Sequence, residues 1–300
     1  MIRIISTVLI VMCIASEVLQ AQDDLLDIAE SQQKQETFTV YGTFKGNRVV
    51  NGHSVETLNK KELEFLISHR FGPVSGGGYQ LFGLDEANIR LALEYGITDW
   101  LQAGIGRSSF EKTYDVFGKA RIIRQKEGTE KIPISITYLA AATYETLRVP
   151  AGSPELTASD RTTFTNQILL ARKFGSVFSF QLSPTWVHFN YVPEPNDPND
   201  IFALGAAFRY KITPSVHLNG EYYYRFNEFE SFQTYAPVGV GVDIETGGHV
   251  FQLHFTNARV INEKGFIAET RDDFFAGDIR IGFNISRTFQ LGKRPEQKGW

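Results

Sequence analysis

The feature that most constrains this chain is apolar–polar alternation sustained over long runs. In SVHLNGEYYYRF, residues 215–226, Val216, Leu218, Gly220, Tyr222 and Tyr224 alternate with His217, Asn219, Glu221, Tyr223 and Arg225. A period of two is that of a β-strand with unlike faces. Comparable runs occupy 62–71, 86–96, 100–108, 113–124, 132–145, 162–173, 177–190, 201–211, 215–226, 237–245, 249–257 and 274–287. Most are nine to fourteen residues long, whereas an ordinary soluble strand has about five or six. A tilted strand needs roughly nine to eleven to cross a bilayer. Alternation alone fits a soluble β-sandwich with a solvated face equally well.

The connections separate the two folds. GITD, FGS, ITP and TGG are tight turns at alternate connections. Between them lie long segments such as GPVSGGGYQLFGLD, TLRVPAGSPELTASDR and ARVINEKGFIAETRDD. Short turns at one rim and long loops at the other belong to transmembrane barrels. QKEGTEK is rather long for the tight rim. Tyr95, Trp100, Trp186, Tyr191 and Tyr210 stand near strand ends, where a bilayer interface favours amphipathic rings. The expected fold is all-β: one antiparallel up-and-down barrel of about twelve strands. An even count closes the sheet and puts both ends on the short-turn, periplasmic side.

If the apolar face meets lipid, the polar face lines a lumen. Strand parity then nominates Arg90, Glu94, Asp115, Lys119, Arg121, Arg209, Glu221, Arg225, Asp278 and Arg280 as lumen-lining residues. Both signs occur in similar number, so side chains are expected to pair across a narrow or occluded interior; a selective pore favours a ring of one sign. Over the whole chain, 30 Lys and Arg face 34 Asp and Glu, a balance that gives nucleic acid no attracting field.

The N-terminus MIRIISTVLIVMCIASEVLQAQ carries Arg3, an apolar run and a small residue at Ala21. It reads as a secretory signal over 1–21. The single cysteine, Cys13, lies within that run, so the exported chain is expected to have no disulfide, redox centre or thiolate metal site. Residues 22–58, glycine-rich at Gly42, Gly46 and Gly52, form a distinct periplasmic or plug-like segment. The barrel is expected over 59–291 and a polar tail over 292–300.

TFKGNRVVNGHSVET and ELEFLISHRFG, followed by YGITDWLQAGIGRS and ETGGHVFQLHFTN, resemble a family of Gram-negative outer-membrane β-barrels of unknown function, domain-of-unknown-function number 5777. The similarity runs from Thr43 to Leu291. It implies a single barrel in the outer membrane, lipid and the barrel-insertion machinery as partners, and no catalytic residue.

The remaining motifs are weak. His53, His69, His188, His217, His249 and His254 are scattered; His249 and His254 fall on opposite faces of one strand, and zinc-type ligand spacing is lacking. No metal or cofactor is expected. His188, beside Trp186 near a rim, is the better candidate for a lipid hydrolase, but the sequence offers it no evident partner, and no enzymatic activity is expected. Glu194, Asp197 and Asp200 in VPEPNDPND read as a solvated loop, not a calcium site. In FNEFESFQTY, the rings of Phe226, Phe229, Phe232 and Tyr235 either fold back over the barrel mouth or form an apolar docking surface. Two functions follow: passing or binding a small solute through a charge-lined lumen, or displaying loops and the N-terminal segment to a periplasmic or surface partner.

Overall fold

The computed structural model describes residues 37–148, 152, 155–192 and 194–292. The expected signal with Cys13, residues 22–36 and the tail from 293 lie outside the described residues. Among those described, twelve long strands make up the barrel. They are β1 (Glu62–Pro73), β2 (Ala87–Gly96), β3 (Leu101–Ser108), β4 (Tyr114–Ile123), β5 (Ser135–Tyr144) and β6 (Thr162–Phe174). The second half supplies β7 (Phe178–Phe189), β8 (Asp200–Lys211), β9 (Val216–Arg225), β10 (Val238–Thr246), β11 (His249–Thr256) and β12 (Arg280–Gln290). Each pairs antiparallel with its neighbours in sequence, and β12 returns to β1, with Ile285 opposite Ile67. The sheet therefore closes without an edge.

The faces are inverted relative to a soluble protein. On β2, Ile89, Leu91 and Leu93 are exposed, while Arg90 and Glu94 are 0% exposed. On β11, Phe251, Leu253 and Phe255 point out and Gln252 and His254 point in. Water would not tolerate a continuous apolar girdle of this kind; acyl chains do. No helix among the described residues is long and apolar enough to cross a membrane.

Connections of residues 97–100, 175–177, 212–215 and 247–248 gather at one rim. In the last, Gly247 and Gly248 take φ of 47° and 107°, the left-handed conformation that a two-residue hairpin turn requires. The other rim carries 74–86, 145–148 with 155–161, 190–192 with 194–199, 226–237 and 257–279, together with the short 109–113. A separate small unit, described over 37–40 and 125–133, contains an antiparallel pair with Phe38 opposite Glu127 and Thr39 opposite Lys126. The long QKEGTEK connection supplies one of these strands.

One strand differs from its expected bounds by more than three residues. β12 begins at Arg280, not at 274, because residues 274–277 form a turn closed by a hydrogen bond from Gly277 N to Phe274 O (3.2 Å). Asp278 consequently precedes the strand and does not line the lumen. It accepts a 3.2 Å hydrogen bond from Ser75 Oγ at the long-loop rim. Parity counting had carried the alternation six residues beyond the strand's first residue, Arg280, and so included Asp278.

Candidate functional site in the barrel lumen

The lumen is filled by two segments that enter from opposite rims. The first is a hairpin, residues 43–58. Its foot is fixed at the short-turn rim, where Lys61 N donates to Gly96 O (2.8 Å) and Lys60 N to Asp99 Oδ1 (3.0 Å). Hydrogen bonds from Val49 N to Gly52 O and from Ser54 N to Asn47 O, both 2.9 Å, close the hairpin on itself. Its tip, Val49–Gly52, is almost wholly buried.

The tip rests on Glu221 of β9. That carboxylate accepts from Asn51 N at 2.8 Å through one oxygen, and from Gly52 N at 3.0 Å and Val50 N at 3.2 Å through the other. Three consecutive amides converging on one anion form a nest. Gly52 sits here because a side chain would collide with the Tyr223 hydroxyl. The rest of the wall holds the hairpin by its backbone carbonyls. Gln181 Nε2 donates to His53 O (2.8 Å), Thr137 Oγ1 to Val55 O (2.8 Å), Asn284 Nδ2 to Val50 O (2.8 Å) and Gln252 Nε2 to Val49 O (3.0 Å). Lys119 Nζ reaches Glu56 O, and Arg209 Nη1 reaches Gly42 O (2.9 Å) and Thr43 O (3.1 Å). Arg70 grips the Asn51 side chain through Nη2 (2.8 Å) and Nε (3.2 Å). Phe44, Val49, Val50 and Val55 add a small apolar contact with Leu169, Ala171 and Ala207.

The second segment is the inner part of the 257–279 connection. Ala258, Val260, Ile261, Phe266, Ile267 and Ala268 are all buried, and Lys264–Ala268 winds as one π turn. The two segments meet at Glu263. Its Oε1 lies 2.5 Å from Arg48 Nη1 and 3.1 Å from His53 Nε2, all three side chains being at most 4% exposed. Arg48 also donates to Asn51 O (2.9 Å), tying the ion pair to the hairpin tip. Beside it, Lys264 Nζ lies 3.4 Å from Glu269, 3.6 Å from Glu111 and 3.6 Å from Glu145. Burial pushes the Glu269 carboxyl up; Lys264 opposes this and Glu111 adds to it, leaving it at about 7.

The nominated residues fall as follows. Arg90 and Asp115 form a bidentate pair inside the barrel, at 2.9 and 2.5 Å. Glu94 accepts from Gln102 Nε2 (2.7 Å). Lys119, Arg209 and Glu221 hold the hairpin as above. Arg121 is half-buried at the short-turn rim, bonded to Thr57 and to Asp99 O. Arg225 donates to the Tyr235 and Ile267 carbonyls, and Arg280 pairs with Asp272 at 2.7 Å; both bind inward loop residues. Asp278 stands apart, as described. Counting charges missed the neutral amides Gln102, Gln181 and Gln252, although each holds the inward parity. Glu263 and Lys264, in a segment without periodicity, gave no signal.

Other candidates find ordinary partners. His188 lies on the outer wall, with Nδ1 2.7 Å from Asp200 Oδ1, which also accepts from Trp186 Nε1 at 2.7 Å. Asp197 accepts from Glu230 N (2.8 Å), Ser231 N (3.0 Å) and Ser231 Oγ (2.5 Å), pinning the 226–237 connection. That connection divides its rings. Phe229 is buried against Phe189 (5.2 Å) and Phe232 (5.0 Å), whereas Phe226 is 65% exposed. Among the described residues no group of three or more His, Cys, Asp or Glu is placed to hold a metal.

Similar solved structures include the NanC porin (10% identity, TM-score 0.49, covering 76% of this chain and 100% of that one). The KdgM porin follows at 7% identity and TM-score 0.45, covering 77% and 99%. The Acinetobacter baumannii outer membrane protein Omp33 stands at 10% identity and TM-score 0.42, covering 77% and 99%. No curated protein sequence matches the chain. Residues 44–289, from the first arm of the hairpin into β12, match the model of the family described as "Membrane bound beta barrel domain (DUF5777)", and the chain belongs to that family.

Proposed function

We propose that this barrel is an outer-membrane channel for a small solute, closed in the present state by the 43–58 hairpin and the 257–279 connection. The single observation that carries this reading is the chemistry of the closure. A permanently filled interior is better stabilised by apolar packing than by buried ions. Here the hairpin is held mainly by hydrogen bonds to the Glu221 carboxylate and from Arg70, Lys119, Arg209, Gln181 and Asn284. Such groups keep water as an alternative partner, so a polar wall suits an interior that is wet for part of the time. In this reading the short-turn rim faces the periplasm, the hairpin withdraws from that side, and the protein does no covalent chemistry.

Planar-bilayer recordings test the proposal. The full chain should conduct rarely, and a variant lacking residues 22–58 should conduct often. Silence in both would overturn it. A second reading, a barrel that displays its loops to a partner, draws support from the exposed rings of Tyr79, Phe82 and Phe275 at the long-loop rim. A partner retained on the full barrel and lost on removal of residues 75–82, with no conductance in any form, would favour that reading.

A further inference from the structure

Apolar clusters interrupt the polar lumen wall at Phe117, Leu139 and Ala141, at Leu169, Ala171 and Ala207 under the hairpin, and in a third sector covered from the long-loop rim. On β7, β8 and β9, Val187, Phe189, Ile201, Ala203 and Tyr223 turn inward and are nearly fully buried. A lumen serving only water and ions gains nothing from such a patch. Its cover is the π turn, which lays Phe266 and Ile267 on it, the Phe266 ring meeting Tyr223 edge-on at 5.2 Å. π geometry is rare and concentrates at functional sites. Arg225 is bonded to the same turn. Its Nη1 donates to Ile267 O at 3.1 Å and to Tyr235 O at 2.8 Å. Its Nε has no partner among the described residues, although the side chain is only 1% exposed.

The geometry points to a binding site in this sector for an apolar molecule with a carboxylate head, whose place is taken in the closed state by the turn's own side chains and the Ile267 carbonyl. The inference rests on the solute-path reading and names the solute's class. The apolar wall receives the body. The guanidinium, whose Nη2 meets the half-exposed Glu228 carboxylate at 3.3 Å while its Nε donor is unused, receives the head through a charge-assisted hydrogen bond. Access is from the long-loop rim, by displacement of Lys264–Ala268.

The test is equilibrium binding of radiolabelled n-alkyl carboxylates to the full chain in lipid nanodiscs, with empty nanodiscs as reference. Chains of about four to ten carbons span the depth of such a pocket. Wild type should bind one equivalent saturably, with affinity rising about fourfold per added methylene. Phe266→Ala weakens the internal competitor and should bind roughly tenfold tighter or more. Arg225→Gln should lose affinity for the carboxylate and keep its affinity for the alcohol of equal length. Slower migration of heated than of unheated samples reports the fold of each variant. Uptake by wild type no greater than by empty nanodiscs overturns the site, as does a folded Phe266→Ala that binds no tighter. Conductance tests passage and saturable uptake tests this site, so either can fail alone.

Discussion

Replacing Glu221 by alanine should release the hairpin tip. In the closed state its carboxylate satisfies three amides, at 2.8, 3.0 and 3.2 Å, in a setting where the side chain is 5% exposed. Hydrogen bonds to a charged group contribute about 1.5–3 kcal/mol each. Removing the buried carboxylate also removes its desolvation cost, which offsets part of that sum. A net loss of about 2–4 kcal/mol shifts the closed-to-open ratio by roughly 30- to 1,000-fold. Glu221→Gln keeps one acceptor oxygen and the side-chain volume, so it should fall between. The assay uses Val55→Cys as a reporter, buried in the second arm of the hairpin, in a chain whose native Cys13 lies in the expected signal. In nanodiscs, a water-soluble maleimide reacts only with the withdrawn hairpin, so its rate follows the open population. Rates should rise in the order wild type, Glu221→Gln, Glu221→Ala. Equal rates across the three would refute the reasoning, because the nest would then contribute nothing to closure.

Further outcomes follow from the same contacts. Arg48→Met or Glu263→Gln alone leaves a buried group unpaired and should destabilise closure by about 3–5 kcal/mol, whereas the double variant should cost well below the sum; the maleimide rate measures each. Raising the pH should loosen the 257–279 connection. Glu269 is raised to about 7 when docked, mainly by burial, from about 4.5, so docking takes up a proton between those values. Its stabilisation is fully present below about 4.5 and is lost as pH rises through about 7. Amides 264–268 should therefore exchange faster at high pH than their intrinsic rates explain, and Glu269→Gln should abolish the excess. Gly52→Val should force the tip away from the Tyr223 hydroxyl and Glu221, giving a raised maleimide rate with unchanged heat-dependent migration.

Much of the wall was legible in the sequence because its signal is local. Lipid on one side and an enclosed polar space on the other write a two-residue period into each strand. Ile89, Leu91 and Leu93 against Arg90 and Glu94 are enough to assign both faces. The same parity placed Arg90, Asp115, Lys119, Arg209, Glu221, Arg225 and Arg280 together inside, though it could not pair Arg90 with Asp115 across two strands. Asp278 shows where the method ends. Alternation continues on paper past the last paired residue, and only the ladder marks the start of the strand at Arg280.

The sequence by itself determined the strands, the direction of their faces and the alternation of short and long connections, since each is a property of neighbouring residues. Tertiary structure alone decided that the 43–58 hairpin and the 257–279 connection share the interior and meet at Arg48, His53 and Glu263. Glu263 lies more than two hundred positions from Arg48 and His53, and neither segment carries a period. What draws them together is the need of buried amides, carbonyls and charges for partners once the sheet has closed around them, and that need exists only in the closed barrel.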